Sequence, residues 1–333
     1  MDCDNFIAYI CLMKSISILV TKGATALGTI EGSFIAFSRA NDVLLQMGKP
    51  AMFEVQLVGM TDDAQVYNNL FSVRPDLTIG KAHKTDLVII PAVNGVMLDV
   101  IDANKDFFPW IREQYTAGAE VASLCVGAFL LAATGLVDGK KCATHWMAQN
   151  EFRKMFPNVE LVSEKIITDE DGVYSSGGAN SFWNLILYII DKYAGRDVAI
   201  LCAKIYEIEI DRDSQSPFIM FSGQRDHEDE PIREVQVFIE QNFHTKITVE
   251  QLAAMSAMGR RTFERRFKKA TSNTVIEYLQ RVKIEAAKKS LETSSKNVNE
   301  VMYDVGYSDT KAFRTTFKKI TGLSPIDYRN KYN

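Results

Sequence analysis

Over roughly the first two hundred residues, short apolar runs alternate with stretches whose apolar positions recur every three or four residues. The runs `ISILV` (16–20), `FEVQLVG` (53–59), `DLVIIP` (86–91) and `EVASLC` (120–125) predict strands, with helices over 30–46, 104–117 and after residue 125. Strands apolar on both faces predict a parallel sheet covered by helices. In `KIITDEDGVYSSGG` the `DEDG` predicts a hairpin turn, and `SFWNLILYIIDKYAG` an apolar helix. The pattern is that of a doubly wound, flavodoxin-like α/β domain over residues 1–210.

The pattern then changes. `DRDSQSPFIMFSGQRDHEDEP` (211–231), rich in charge, Ser and Gly, reads as a linker. From 232 to 333 amphipathic helical periodicity takes over, and it repeats. `FERRFKKATSNTVIEY` (263–278) and `FRTTFKKITGLSPIDY` (313–328) match at Phe263/Phe313, Phe267/Phe317, Lys268-Lys269/Lys318-Lys319, Thr271/Thr321 and Tyr278/Tyr328, each 50 residues apart.

In each copy a short helix is followed by a break and a second helix. Thr248 with Gln251 forms a capping box ahead of the first helix, and the break falls near Ser256–Gly259. In the second copy Gly306 lies in the turn, and Asp309 or Ser308 caps the second helix. Such an all-α unit is a helix-turn-helix, whose second helix enters the major groove of double-stranded DNA. The exposed positions predicted to face DNA are Arg260, Arg261, Glu264 and Arg265, and Thr310, Lys311, Arg314 and Thr315. Arg and Lys donate to guanine O6 and N7, and Thr hydroxyls to several base edges. Lys268, Lys269, Lys318 and Lys319, farther along, are expected on phosphates. A solvated basic face is the alternative for one such helix; two copies argue against it. The Phe and Tyr pairs read as core.

Charge supports this division. Residues 231–333 hold 19 Lys and Arg against 11 Asp and Glu, a net of +8, which leaves −12 for residues 1–230 within the total of −4. A basic half beside an acidic one points to a polyanion as partner of the basic half.

The basic half resembles the DNA-binding domain of the AraC/XylS family of bacterial transcription regulators. `VGYSDTKAFRTTFKKITGLSPIDYR` carries the resemblance, and the first copy departs from it with Ser272 and Val275 where the second has Gly322 and Pro325. The resemblance implies that `VIEYLQRVKIEAAKKSLE` joins two units whose recognition helices enter successive major grooves.

Candidate chemistry centres on `EVASLCVGAFLLAATG` (120–135), where Cys125 stands between Ser123 and Gly127. That spacing suits a nucleophile elbow, a strand-to-helix turn too tight for large flanking side chains. This half resembles the class I glutamine amidotransferase-like superfamily, in its PfpI-like branch, over about 15–195. In catalytic members a His follows the cysteine and a Glu from the first helix reaches the thiol. Val126 stands at the first position, and alignment of `GTIEGSFIAF` puts Ile35 at the second. No catalytic residue is therefore assigned. His145 reads as pocket-lining or structural, with a base role as the alternative. Ligands of open α/β sheets bind beyond the carboxyl ends of the strands. There the sequence gathers Asn94, Gly95, Cys125, Val126, His145, Gly177 and Gly178 as a ligand site, although the two adjacent glycines have an equal reading as mere loop formers.

Composition adds limits. Hydrophobic content is 47% and charged content 24%, as in globular proteins. No run reaches the roughly 18 apolar residues of a membrane span, residues 1–20 match a secretory leader poorly, and five scattered cysteines suit a reducing cytoplasm. No metal or cofactor motif stands out. These features predict a cytoplasmic, sequence-specific transcriptional regulator, a homodimer, controlled by an unidentified small-molecule effector and with RNA polymerase as a further possible partner. A cysteine-dependent amidase or isonitrile-hydratase-like enzyme with a basic appendage is the alternative. A third reading makes the α/β half a dimerisation platform only.

Overall fold

The computed structural model describes residues 13–67, 70–225 and 227–333. Cys3, Cys11 and most of the segment weighed as a leader lie outside them. The chain forms two compact units, residues 1–215 and 216–333.

In the first unit seven strands form one sheet: β1 (Lys14–Val20), β2 (Phe53–Gly59), β3 (Leu77–Thr78), β4 (Leu87–Ile90), β5 (Glu120–Ser123), β6 (Ile167–Glu170) and β7 (Val173–Ser176). Their order is β6-β7-β5-β4-β1-β2-β3. All neighbours pair in parallel except the edge hairpin β6–β7, whose turn residues Asp171 (φ 55°) and Gly172 (φ 77°) both have positive φ. Two positive φ values match the right-handed twist of the paired strands.

Alternation within β4 sets the two faces. Leu87 and Ile89 join Ile16, Ile18 and Phe53 under helices α1 (Leu27–Gln46), α6 (Ser181–Ala194) and α7 (Arg196–Ile205). Val88 and Ile90 join Leu19, Val58 and Val121 under α2 (Met97–Ala103), α3 (Phe107–Thr116), α4 (Ala128–Ala133) and α5 (Gln149–Met155). The helix expected over 104–117 is α3, and α2 ahead of it is a further helix that the pattern did not predict. Asn104 lies between the two, with a buried side chain that accepts from Lys22 N at 2.8 Å and donates to Val100 O at 2.8 Å.

The second unit is all-helical: α8 (Glu230–Asn242), α9 (Val249–Met255), α10 (Arg260–Thr271), α11 (Val275–Thr293), α12 (Val298–Asp304), α13 (Thr310–Thr321) and α14 (Pro325–Tyr332). Helix α11 carries two cores along its length. Tyr278 and Val282 pack with Phe263 and Phe267, while Ile284, Ala287 and Leu291 pack with Phe313 and Phe317.

The expected linker 211–231 is largely built into the two units. Ser214 bridges to Lys165, and Gln215 is buried in the first unit. From Ser216 the chain lies on the second unit, where Gln224 O accepts from Gln236 Nε2 at 3.0 Å and Arg225 pairs with Glu240. Its polar side chains find partners far along the chain, which composition does not reveal.

Candidate functional site

The elbow forms as expected. Cys125 has φ 54°, a left-handed conformation that costs a non-glycine residue about 1 kcal/mol or more. Its N–H donates to Ser176 Oγ at 3.1 Å, and its carbonyl accepts from Thr144 Oγ1 at 3.1 Å. Gly127 approaches the sheet so closely that a Cβ there would stand 2.5 Å from Pro91 O. The small residue is required by packing alone.

The chemistry of the elbow is muted. Cys125 is 5% exposed, and burial pushes its thiol up to about 11, only partly offset by a hydrogen bond from the Val126 N–H. At neutral pH such a thiol is roughly one part in ten thousand thiolate. Nearby, His145 Nδ1 accepts from Met147 N at 3.2 Å, so the proton of the neutral ring sits on Nε2. Burial lowers the pKa of His145, which favours that neutral ring.

A cleft of about 350 Å³ opens beside the elbow, lined by Ala26, Thr29, Ala92, Asn94, Cys125, Val126, His145, Met147, Ala148 and Ala179. It lies past the carboxyl ends of β1, β4, β5 and β7, where open α/β sheets place ligands. Asn94, Cys125, Val126 and His145 are brought together as expected; Gly95, Gly177 and Gly178 are not among its lining residues. The paired glycines serve Gln215 instead, since Gly178 N donates to Gln215 Oε1 at 2.9 Å and a Cβ on Gly177 would stand 2.7 Å from Gln215 Nε2. Ile35 does not line the cleft either. The residues of the first helical segment that reach the cleft are Ala26 and Thr29, while Ile35 lies farther along α1, its carbonyl accepting from Tyr206 OH at 3.1 Å. Thr29 Oγ1 is itself used, accepting from Ala92 N at 3.1 Å and donating to Ala26 O at 2.7 Å. Among the described residues no carboxylate lines this cleft.

In the helical unit the two copies agree closely in their cores. Phe263 and Phe267 lie 5.7 Å apart, and Phe313 and Phe317 5.8 Å. Tyr278 OH donates to Glu240 and Tyr328 OH to Glu292, each at 2.6 Å. Thr271 and Thr321 donate to Phe267 O and Phe317 O at 2.8 and 2.9 Å, fastening the ends of α10 and α13. Ser272 takes the left-handed conformation (φ 57°) that Gly322 (φ 77°) takes in the second copy, so the same helix ending is reached without glycine.

The first helices of the two copies, α9 and α12, are 49 residues apart, whereas α10 and α13 are 50 apart. The extra residue falls in the second turn, where Asp309 serves as N-cap and accepts from Ala312 N. Gly306 (φ 74°) opens that turn and Ala257 (φ 51°) the first.

Arg260, Arg261, Arg265, Lys268 and Lys269 are exposed on α10, and Thr310, Lys311, Arg314, Thr315 and Lys318 on α13; Glu264 is half-buried. Arg260 pairs with both Glu250 and Glu264, joining α9 to α10. Arg266, absent from the expected set, is held by Asp229 at 2.8 and 2.9 Å, and this ion pair keeps the Asp229 carboxyl below its usual range. Helix α13 carries no acidic residue.

A DJ-1/PfpI family model matches residues 14–192, more than half the chain. The chain belongs to the DJ-1/PfpI family. A helix-turn-helix domain model matches residues 252–331, so this DJ-1/PfpI member carries an AraC-type DNA-binding domain behind its α/β unit. The chain is similar to the HTH-type transcriptional regulator GbdR of Pseudomonas aeruginosa, 24% identical over 280 residues that cover 80% of this chain and 72% of that one. Over 222 residues it is 22% identical to the regulator ArgR of the same species, covering 66% of this chain and 67% of that one. A THiJ/PfpI family protein of Pseudomonas syringae shares the fold at a TM-score of 0.50 and 15% identity, covering 74% of this chain and 91% of that one. Among the described residues no helix is long and apolar enough to cross a membrane.

Proposed function

We infer that this chain is a transcriptional regulator that binds double-stranded DNA in a sequence-specific way through α10 and α13, under control of a small molecule received in the cleft beside Cys125. The observation that carries the reading is the duplicated helix-turn-helix, with exposed cations on both second helices, joined in one chain to an α/β unit whose elbow keeps its shape without its chemistry. A thiol pushed up to about 11 beside a histidine protonated on Nε2 lacks the base that nucleophilic turnover needs. Arg261, Arg265, Lys311, Arg314 and Thr315 are assigned to base edges, and Lys268, Lys269 and Lys318 to phosphates. A homodimer on repeated half-sites, in the cytoplasm and beside RNA polymerase, completes the reading.

Two measurements test it. Selection from a random duplex pool should enrich a repeated motif whose affinity falls steeply with salt, because each phosphate contact releases counterions. A flat salt response would remove the DNA-binding claim. Native and denatured mass of the protein purified from its own host should then differ by a small bound mass. Turnover of an amide or isonitrile by catalytic amounts of protein would instead establish the enzyme reading.

A further inference from the structure

Gln215 ends the α/β unit and Ser216 begins the helical one. Its side chain is 1% exposed, and a long amide removed from water needs partners for its donors and its acceptor. Oε1 accepts from Gly178 N at 2.9 Å, and Nε2 donates to Thr144 O at 2.9 Å and Ser163 O at 2.7 Å. The backbone N–H donates to Glu164 O at 2.9 Å.

Two of these side-chain bonds end on loops that line the cleft. Thr144 immediately precedes His145, and its hydroxyl holds the Cys125 carbonyl. Gly178 immediately precedes Ala179, which faces the same cleft. One peptide bond beyond Gln215, Ser216–Phe218 form a turn of 3-10 helix within the helical unit, where Pro217 O accepts from Tyr332 OH at 3.4 Å. The chain then runs along α11, where Ile219 O accepts from Lys288 Nζ at 2.6 Å and Phe221 N donates to Glu285 at 3.1 Å. Both sides of the 215–216 bond are thus tightly held, one by the cleft loops and the other by the helix that carries both helix-turn-helix cores.

We propose that Gln215 is a positioning residue that couples occupancy of the cleft to the DNA-binding unit. A molecule seated against His145 and Ala179 displaces the Thr144 carbonyl or the Gly178 N–H. The buried amide must then re-pair, and it carries with it the peptide bond from which the helical unit begins. This rests on the regulator reading given above.

Coupling is reciprocal, so DNA itself serves as the probe. Full-length protein bearing Cys3→Ser and Cys11→Ser is treated with iodoacetamide at mildly alkaline pH, and alkylation of Cys125 is followed by peptide mass with and without saturating selected duplex. The duplex should change the Cys125 rate by about fivefold or more. In Gln215→Ala that change should vanish while duplex affinity stays within about twofold, an expectation for a residue outside the DNA contacts. If Gln215→Ala lowers the melting temperature of the α/β unit, Gln215→Met replaces it, since it keeps the length and volume of the side chain while removing the amide; the change should vanish there too. Persistence of the full change in either folded variant overturns the proposal, as does an unchanged rate in a parent protein that binds its duplex. Failure to select any duplex would remove the regulator reading itself, a distinguishable result that takes the coupling down with it.

Discussion

The two helix-turn-helix copies share a skeleton and differ in charge. Their aromatic pairs, threonine end-fasteners and tyrosine–glutamate bonds agree in kind and in distance. Yet in the first copy Arg260 is shared between Glu250 and Glu264, and Arg266 is held by Asp229, whereas α13 has no acidic residue. The difference teaches that a basic helix is not one kind of object. Cations already paired within the domain help to hold it together, and those without carboxylate partners are free to meet DNA. The first copy divides its arginines between ion pairs and open positions, and the cations of α13 stay exposed.

The largest effects test the shared skeleton. Phe267→Ala and Phe317→Ala each empty a fully buried site, and each should lower stability by about 3 to 5 kcal/mol in denaturant melts. A marked inequality between them would show that the two cores are not equivalent.

Next come the free cations. Arg314→Ala should weaken binding to the selected duplex by about 1 to 3 kcal/mol and relax preference at one position, measured by fluorescence anisotropy on matched and mismatched duplexes. Arg260→Ala should cost less, because its guanidinium is engaged by Glu250 and Glu264. The reverse order would break the comparison. Smaller effects should come from the helix endings. Ser272→Gly should stabilise the first copy by about 0.5 to 1 kcal/mol, because Ser272 holds a conformation that suits glycine, and Gly322→Ala should destabilise the second by about 1 kcal/mol.

The smallest effect is pH-dependent. Asp229 has a depressed carboxyl pKa in the folded state, through its bond with Arg266. Its contribution is present above the unfolded carboxylate value near 4 and is lost as pH falls through the folded value. Thermal melts should therefore show a loss below about pH 4 that Asp229→Asn removes. A melt of Asp229→Asn with an unchanged acid limb would assign that loss elsewhere.

Much of this is legible in residue order. The 50-residue echo of Phe, Phe, Thr and Tyr exposes the repeat because each of those side chains has one place in the core, and continuous apolar runs expose the strands because both faces of the sheet are covered. The elbow is legible for the same reason, since small residues at 123 and 127 are a local requirement. What escapes is set by distant partners. Gln215 sits among polar, linker-like neighbours, and only the fold shows that its amide meets Thr144, Ser163 and Gly178. Gly177 and Gly178 resemble ligand contacts because a close approach leaves the same mark whatever approaches. Ile35 lies past the turn of α1 that reaches the cleft, and Thr29, Glu31 and Ser33 all compete as polar landmarks in those early turns, so residue order alone does not fix which one lines it.

Gly127 carries a wider consequence. Its missing Cβ is demanded by the carbonyls of Ile90 and Pro91, and that demand stands whether or not the neighbouring thiol ever reacts. A motif search that scores the small-x-Cys-x-Gly signature therefore detects a joint between strand and helix. Counting such joints across genomes measures how often an architecture is kept, and enzymes form only the subset in which a base has been kept beside it.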